Sequence, residues 1–409
     1  MGKSTFFTGQ PILNQILDLI PRHMVSRLAC KYQADRYYKR FKGYEHLVTM
    51  LFCAFHQCSS LRELITGLQV NSHRLCQCGF KCTPRRSTLA DANKHRKAEF
   101  FEALFHSLYH HHYGISPDSL KGTRLQERLF VMDSTTIALF CDVMKAAGNA
   151  KGNGRRKGGL KAHVLMPLQN QVPSFIQLTE SAKNDRTFMK MIKLPSHAVL
   201  VMDKGYLNYS IMKQWTDKRI TWVSRLNEGA IYEVTQKRSI SKQQLKNGVR
   251  KDMEILLGLP STTKKRPLQQ ARIVRFYDKP NKRTFNFLTN NFDYSPLTIA
   301  NIYHQRWKVE TLFQRVKYNF QFHNFLGDNE NAIKIQMWCT LIADLLINII
   351  KDKVDRIRKH KWSFANIAGM IRLHLSTYIN LFKFLINPER AVLQYNNEMV
   401  STQLNLFKT

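Results

Sequence analysis

The hydrophobic rhythm of this chain changes near Arg128, and that change limits its fold more than any other feature. Up to about Gly122 apolar residues recur at spacings of three and four, as in 12–20 and 46–55, which is the period of amphipathic helices. Beyond Arg128 short apolar runs take over at 129–132, 161–168, 174–179, 198–202 and 220–226, and these predict strands. The second and third runs flank a polar turn at 169–171 and predict a hairpin. The fourth sits between helical patterns at 186–192 and 209–218, so the sheet should be mixed and layered with helices. From 227 to about 281 the chain turns polar and basic, with strand-like pieces at 230–234 and 271–277, and reads as an insertion before the apolar pattern resumes at 285–291. Ser295 and Pro296 then supply a cap and a first-turn proline to one long helix, 297–320. At 409 residues the chain exceeds one ordinary domain. The expected class is α/β: a helical N-terminal domain at 1–122, a core at 123–330 with a β-rich insertion at about 225–282, and a helical C-terminal region at 331–409.

Within the first part, Ser60 with Glu63 forms a capping-box pattern for a helix at 61–69, and Ser87 is placed to cap a second at 88–105. Two successive helices, the second basic, suit a DNA groove and suit an ordinary helical bundle equally. His73, Cys76, Cys78 and Cys82 lie close together, but no second ligand pair follows at finger spacing, which favours plain thiols over zinc. Asn14, Gln15 and Asp18 interrupt the first apolar stretch, so no export signal is expected, and eight cysteines then fit a reducing compartment such as the cytoplasm. The apolar run 341–350 contains Asp344 and Asn348 and is too short to cross a bilayer, so a core helix is expected there and no membrane partner.

Charge points to the partner. Lys and Arg total 63 against 29 Asp and Glu, a surplus of +34 that far exceeds what solubility needs and suits a polyanion such as DNA. Residues 145–161, rich in Gly and basic side chains and ending with Arg155, Arg156 and Lys161, read as a basic loop able to approach phosphates or as a solvated linker.

Asp133 and Asp203 each follow an apolar run ending in Met, which places two carboxylates at the ends of buried strands. One such Asp is commonly a turn former; two with the same local pattern are harder to dismiss. On the long helix Tyr303, Arg306, Glu310 and Lys317 fall at roughly 0, 300, 340 and 320°, one polar stripe beside an apolar one. That stripe is either a solvated face with an Arg306 to Glu310 ion pair or part of a site. Metal-assisted phosphoryl transfer gives carboxylates a reason to converge. Hard oxygens hold divalent ions, and Arg306, Lys317 and Tyr303 are suited to gripping phosphate.

At these residues the chain resembles the bacterial insertion-sequence transposases marked by Tyr, two residues, Arg, three residues, Glu, six residues, Lys. Residues 131–137, 201–206, 288–292 and 303–313 look like that group's catalytic blocks, and the match runs from about 40 to 350. The resemblance implies a ribonuclease H-like core in which Asp133, Asp203 and Glu310 are the catalytic metal ligands, Mg2+ or Mn2+ is bound as two ions, and a β-rich insertion fills part of the gap from 203 to 310. It also implies cleavage at the element's terminal inverted repeats, transfer of the 3′ hydroxyl into target DNA, a homodimer in the synaptic complex, and a nucleoid location. Lys204 stands where an Arg often follows the second Asp, which keeps the charge. Another metal-dependent nuclease on the same fold, or a DNA-binding protein that has lost its chemistry, are the competing readings. A ribosome-binding basic protein explains the charge but not the spaced motif.

Overall fold

The computed structural model describes residues 9–114, 122–138, 159–180, 186–258, 268–320 and 325–390. They fall into two compact units, Met1–Gly114 with Gln314–Thr409, and Ile115–Phe313. The helical segments at the two ends of the chain thus belong to one unit, where the sequence suggested separate N- and C-terminal regions.

The helical unit contains α1 (Ile12–Leu17), α2 (Arg22–Lys31), α3 (Gly43–His56), α4 (Leu61–Val70), α5 (Ser72–Leu75), α6 (Arg86–His95) and α7 (Ala98–Tyr113), then α14 (Glu330–Asp355), α15 (Phe364–His374) and α16 (Leu381–Ile386). Its axis is α14, which packs against α3 and α7 and so joins the helices before residue 114 to those after residue 325. By length and composition α14 is apolar enough to cross a membrane, yet its most apolar window is 89% buried inside the protein, so it is a core helix. Asp344, in its middle, receives Nε and Nη2 of Arg315 at 2.9 and 2.8 Å. Ser60 caps α4 by accepting the Glu63 N–H, while Glu63 Oε2 takes the N–H and hydroxyl of Ser59 rather than closing the box on Ser60. The helix expected at 88–105 is broken. Arg96 leaves helical dihedrals and buries its guanidinium, donating to the carbonyls of Ala34 and Phe41 at 2.8 and 2.6 Å. Ser87 lies inside α6, whose cap position is Arg85, so the expected cap is corrected. Cys76 and Cys82 are exposed, Cys78 is buried, and all three are free thiols.

The sheet unit holds nine strands among the described residues: β1 (Leu129–Ala138), β2 (Gly159–Pro167), β3 (Phe175–Glu180), β4 (Val199–Met202), β5 (Thr221–Arg225), β6 (Tyr232–Lys237), β7 (Val249–Leu257), β8 (Gln269–Asp278) and β9 (Arg283–Thr289). Their order is β3-β2-β1-β4-β5-β9-β8-β7-β6. The central β1, β4 and β5 are parallel, and the strands on either side pair antiparallel, so the sheet is mixed. The polar stretch after β5 does not form a separate module. It adds a meander, β6 to β9, to the same sheet. The unit's helices are α8 (Leu125–Arg128), α9 (Arg186–Met189), α10 (Tyr209–Asp217), α11 (Lys242–Lys246), α12 (Pro296–His304) and α13 (Trp307–Asn319), the last turns of α13 being grouped with the helical unit. Ser295 caps α12 with Pro296 in its first turn, as the sequence suggested. The single long helix expected at 297–320 is instead two, because the N–H groups of Gln305, Arg306, Lys308 and Val309 each bond three residues back rather than four and tighten the chain there.

Candidate active site

Alternation along the central strands decides which side chains meet. Leu129, Val199, Val201 and Val223 pack on the face covered by α12, and Phe130, Met132, Leu200, Met202 and Trp222 fill the other. Successive residues of a strand point to opposite faces. Asp133, Asp203 and Arg225 each stand an even number of residues beyond the first set, and all emerge on the α12 face. Parallel pairing of β1 with β4 stops at Met132 and Met202. The two aspartates therefore follow at neighbouring positions on strands about 4.8 Å apart. Asp203 lies just past β4. Asp133 is not at a strand end, because β1 runs on to Ala138 against β2, which keeps its backbone groups paired.

Tyr303 comes from the last turn of α12, Arg306 from the joint, and Glu310 from the first turn of α13. Arg306 donates Nη1 to Asp133 Oδ2 and Nη2 to Glu310 Oε1, the latter at 3.2 Å. Arg225 donates Nη2 to Asp203 Oδ1 at 2.9 Å, and the Tyr303 hydroxyl stands 3.5 Å from the same oxygen. Backbone N–H groups of Ser134 and Gly205 donate to Asp133 Oδ1 and Asp203 Oδ2 at 2.8 and 3.2 Å.

Burial pushes the Asp133 carboxyl above its ordinary range, outweighing Arg306 and the Ser134 N–H. At Asp203 burial acts in the same direction, but the Gly205 N–H, Arg225 and Arg306 together overcome it and hold the group below its usual range. Burial lifts the Tyr303 hydroxyl to about 12, so it remains a donor. Arg306 resists its own desolvation because Asp133, Tyr303, Asp203 and Glu310 surround it, and it stays a cation. The site thus sets three carboxylates around two guanidinium groups whose Nε atoms have no hydrogen-bond partner among the described residues.

The donor set fits a hard divalent ion, since every candidate ligand is a carboxylate oxygen and the group already draws cationic partners. As arranged, Arg306 lies between Asp133 and Glu310, and among the described residues no three His, Cys, Asp or Glu side chains are gathered tightly enough to hold one ion. The same holds for the His73 and cysteine segment.

Sequence reasoning missed Arg225, although it ends an apolar strand with the same alternation as the aspartates, which was the available signal. Lys317 lies seven residues beyond Glu310 on α13, in the part grouped with the helical unit. Lys204, in the turn after Asp203, is half exposed with Nζ 3.9 Å from Glu228. Lys161 is half-buried on β2, two residues from His163 and so on the face away from Asp133. Arg155 and Arg156 lie outside the described residues.

Residues 124–346 match the family model described as the transposase DDE domain. The chain belongs to that family. It is a transposase of the DDE type, its substrate is DNA, and the family works with divalent metal ions. Residues 8–81 match a second model, a domain of unknown function. A Sinorhizobium fredii protein carrying the name transposase y4zB is 28% identical over 289 residues, 70% of this chain and 77% of its own length. A Geobacillus stearothermophilus protein named for transposition of the insertion sequence element IS5377 is 27% identical over 249 residues, 61% of this chain and 63% of its own. The cryo-EM structure of the piggyBac transposase synaptic complex with hairpin DNA is loosely similar, with a TM-score of 0.47 and 12% identity over 96% of this chain and 82% of that one.

Proposed function

We propose that this DDE transposase serves a bacterial insertion sequence of the Tyr-Arg-Glu-Lys group, and that Asp133, Asp203 and Glu310 on a ribonuclease H-like core are its catalytic metal ligands. The observation that carries the reading is that Asp133 and Asp203 follow neighbouring positions of adjacent parallel strands, with Arg306 bonding both Asp133 and Glu310. Mg2+ or Mn2+, bound as two ions, would activate the attacking oxygen and stabilise the leaving one. The chain's own groups do the rest. Arg306 and Arg225 bring guanidinium charge to the carboxylates, and charge-assisted bonds from such groups to phosphate oxygens orient the backbone to be cut. Tyr303 adds a neutral hydroxyl donor, and Lys317, Lys204, Arg155 and Arg156 supply positive charge along the DNA. The N-terminal helices, within 1–122, recognise the terminal inverted repeats, and the core at 123–330 cuts the ends and joins the 3′ hydroxyl to target DNA. A homodimer brings the two ends together, in the cytoplasm on the nucleoid.

The test uses Asp133→Ala, Asp203→Ala and Glu310→Gln on DNA carrying the element's ends. Each variant is expected to lose cleavage with Mg2+ or Mn2+ while still shifting that DNA on a gel. Cleavage retained by any one of them removes that residue from the metal-ligand set.

A further inference from the structure

On the face of the sheet opposite the carboxylates, β2 carries His163, which is 1% exposed. It pairs in register with Ser134, the residue after Asp133. Its Nδ1 lies 3.0 Å from the Tyr206 hydroxyl and its Nε2 2.9 Å from Thr179 Oγ1 on β3. The ring stacks on Phe188 of α9, with centroids 5.2 Å apart and planes at 25°. Tyr206, also 1% exposed, closes the short 3-10 turn Lys204–Tyr206 that begins at Asp203. Within that turn the Asp203 side chain accepts the Gly205 N–H, and its carbonyl accepts the Tyr206 N–H at 3.1 Å. One imidazole therefore ties β2 and β3 to the three residues that aim the Asp203 carboxylate.

Packing alone does not account for this chain of polar groups. Phe188 stacks on the imidazole, and apolar rings in place of His163 and Tyr206 would fill the space without the cost of burying their polar atoms. What hydrogen bonds add is direction. Both ring nitrogens meet hydroxyls, which can donate or accept, so the imidazole is held in place in either neutral tautomer. We propose that His163 and Tyr206 are positioning residues for Asp203. The bonded tyrosine fixes the turn from the far side of the sheet, and so holds the Asp203 carboxylate at the angle from which it and Asp133 can share a cation. The inference rests on the assignment of Asp203 as a metal ligand. Groups that orient metal ligands from behind typically carry about 10–100-fold in metal affinity or activity.

Tyr206→Phe in the full chain keeps the ring and removes the hydroxyl. Titration with Mn2+, followed by loss of the free-ion EPR signal, should show affinity reduced about tenfold, within the range for such groups. Gel-shift binding of DNA should stay at the parent value. His163→Phe should give a similar loss, and the double variant should be no worse than either single one, because both cut the same link. Thr179→Val loosens His163 without touching Tyr206. It should show a smaller loss in the same direction, and it carries the test if Tyr206→Phe melts far below the parent. Mn2+ affinity at the parent value in a folded Tyr206→Phe or Thr179→Val, or additive losses in the double variant, would overturn the proposal. Asp203→Ala separates the two levels. If it also binds Mn2+ like the parent, the ligand assignment has failed, and if it loses binding while Tyr206→Phe does not, only the positioning role has.

Discussion

Arg272 and Arg306 both pair with aspartates inside the sheet unit, and they differ in how completely their partners are used. Arg272, between β8 and β7, places Nε and Nη2 on the two oxygens of Asp252 at 2.7 Å each, and Nη1 on the Tyr294 carbonyl at 2.7 Å. The two side chains are 2% and 4% exposed. Every part of that fork is spent, and it ties the meander to the turn that leads into α12. Arg306 instead takes one oxygen from each of two carboxylates on different elements and leaves its Nε without a partner among the described residues. Its partner Glu310 is 40% exposed. A closed, two-point pair has nothing left to offer a ligand and serves the fold. A bridging, one-point pair can trade its contacts for a phosphate or a cation.

The comparison breaks most visibly at Asp252. Asp252→Ala leaves a buried guanidinium uncompensated and should cost about 3–5 kcal/mol of stability. Urea denaturation should show the loss, with cleavage per folded molecule unchanged below the transition. Arg306→Ala should behave in the opposite way: cleavage slower by about two to three orders of magnitude, as for loss of one donor at a developing charge, with little change in melting temperature. A melting temperature that falls as far as for Asp252→Ala would place Arg306 in the structural class. Arg225→Ala sharpens the contrast from within the site. It removes one charge-assisted bond to Asp203 and should slow cleavage about tenfold in single-turnover assays. A rate equal to the parent would show that Asp203 needs no help from that side.

The central strands were legible because they are buried on both faces and read as unbroken apolar runs, and the aspartates because they end those runs. β7 was not. Its sequence, VRKDMEILL, puts Arg250, Lys251, Asp252 and Glu254 among the apolar residues, and it forms a strand because Asp252 turns inward to Arg272. Pair formation of that kind cannot be seen until both partners are placed. The two helix breaks were hidden for a related reason. Neither Arg96 nor the 305–306 joint contains Gly or Pro, and at Arg96 the helix ends because the guanidinium finds carbonyls from a distant loop. The spaced residues on 303–310 were found, but as a stripe on one continuous helix, whereas the protein delivers them from two helices and the joint between.

That joint makes the motif's spacing a matter of rotation as well as chemistry. Tyr303 is anchored by α12, which the sheet holds, and everything after it is indexed from the tight turn at 305–306. One residue more or less there would swing Glu310 by about 100° around its axis while Tyr303 stayed in place. The interval between the tyrosine and the glutamate therefore works like the pitch of a screw thread, fixed by how far the second helix must turn to bring its acid round to the arginine.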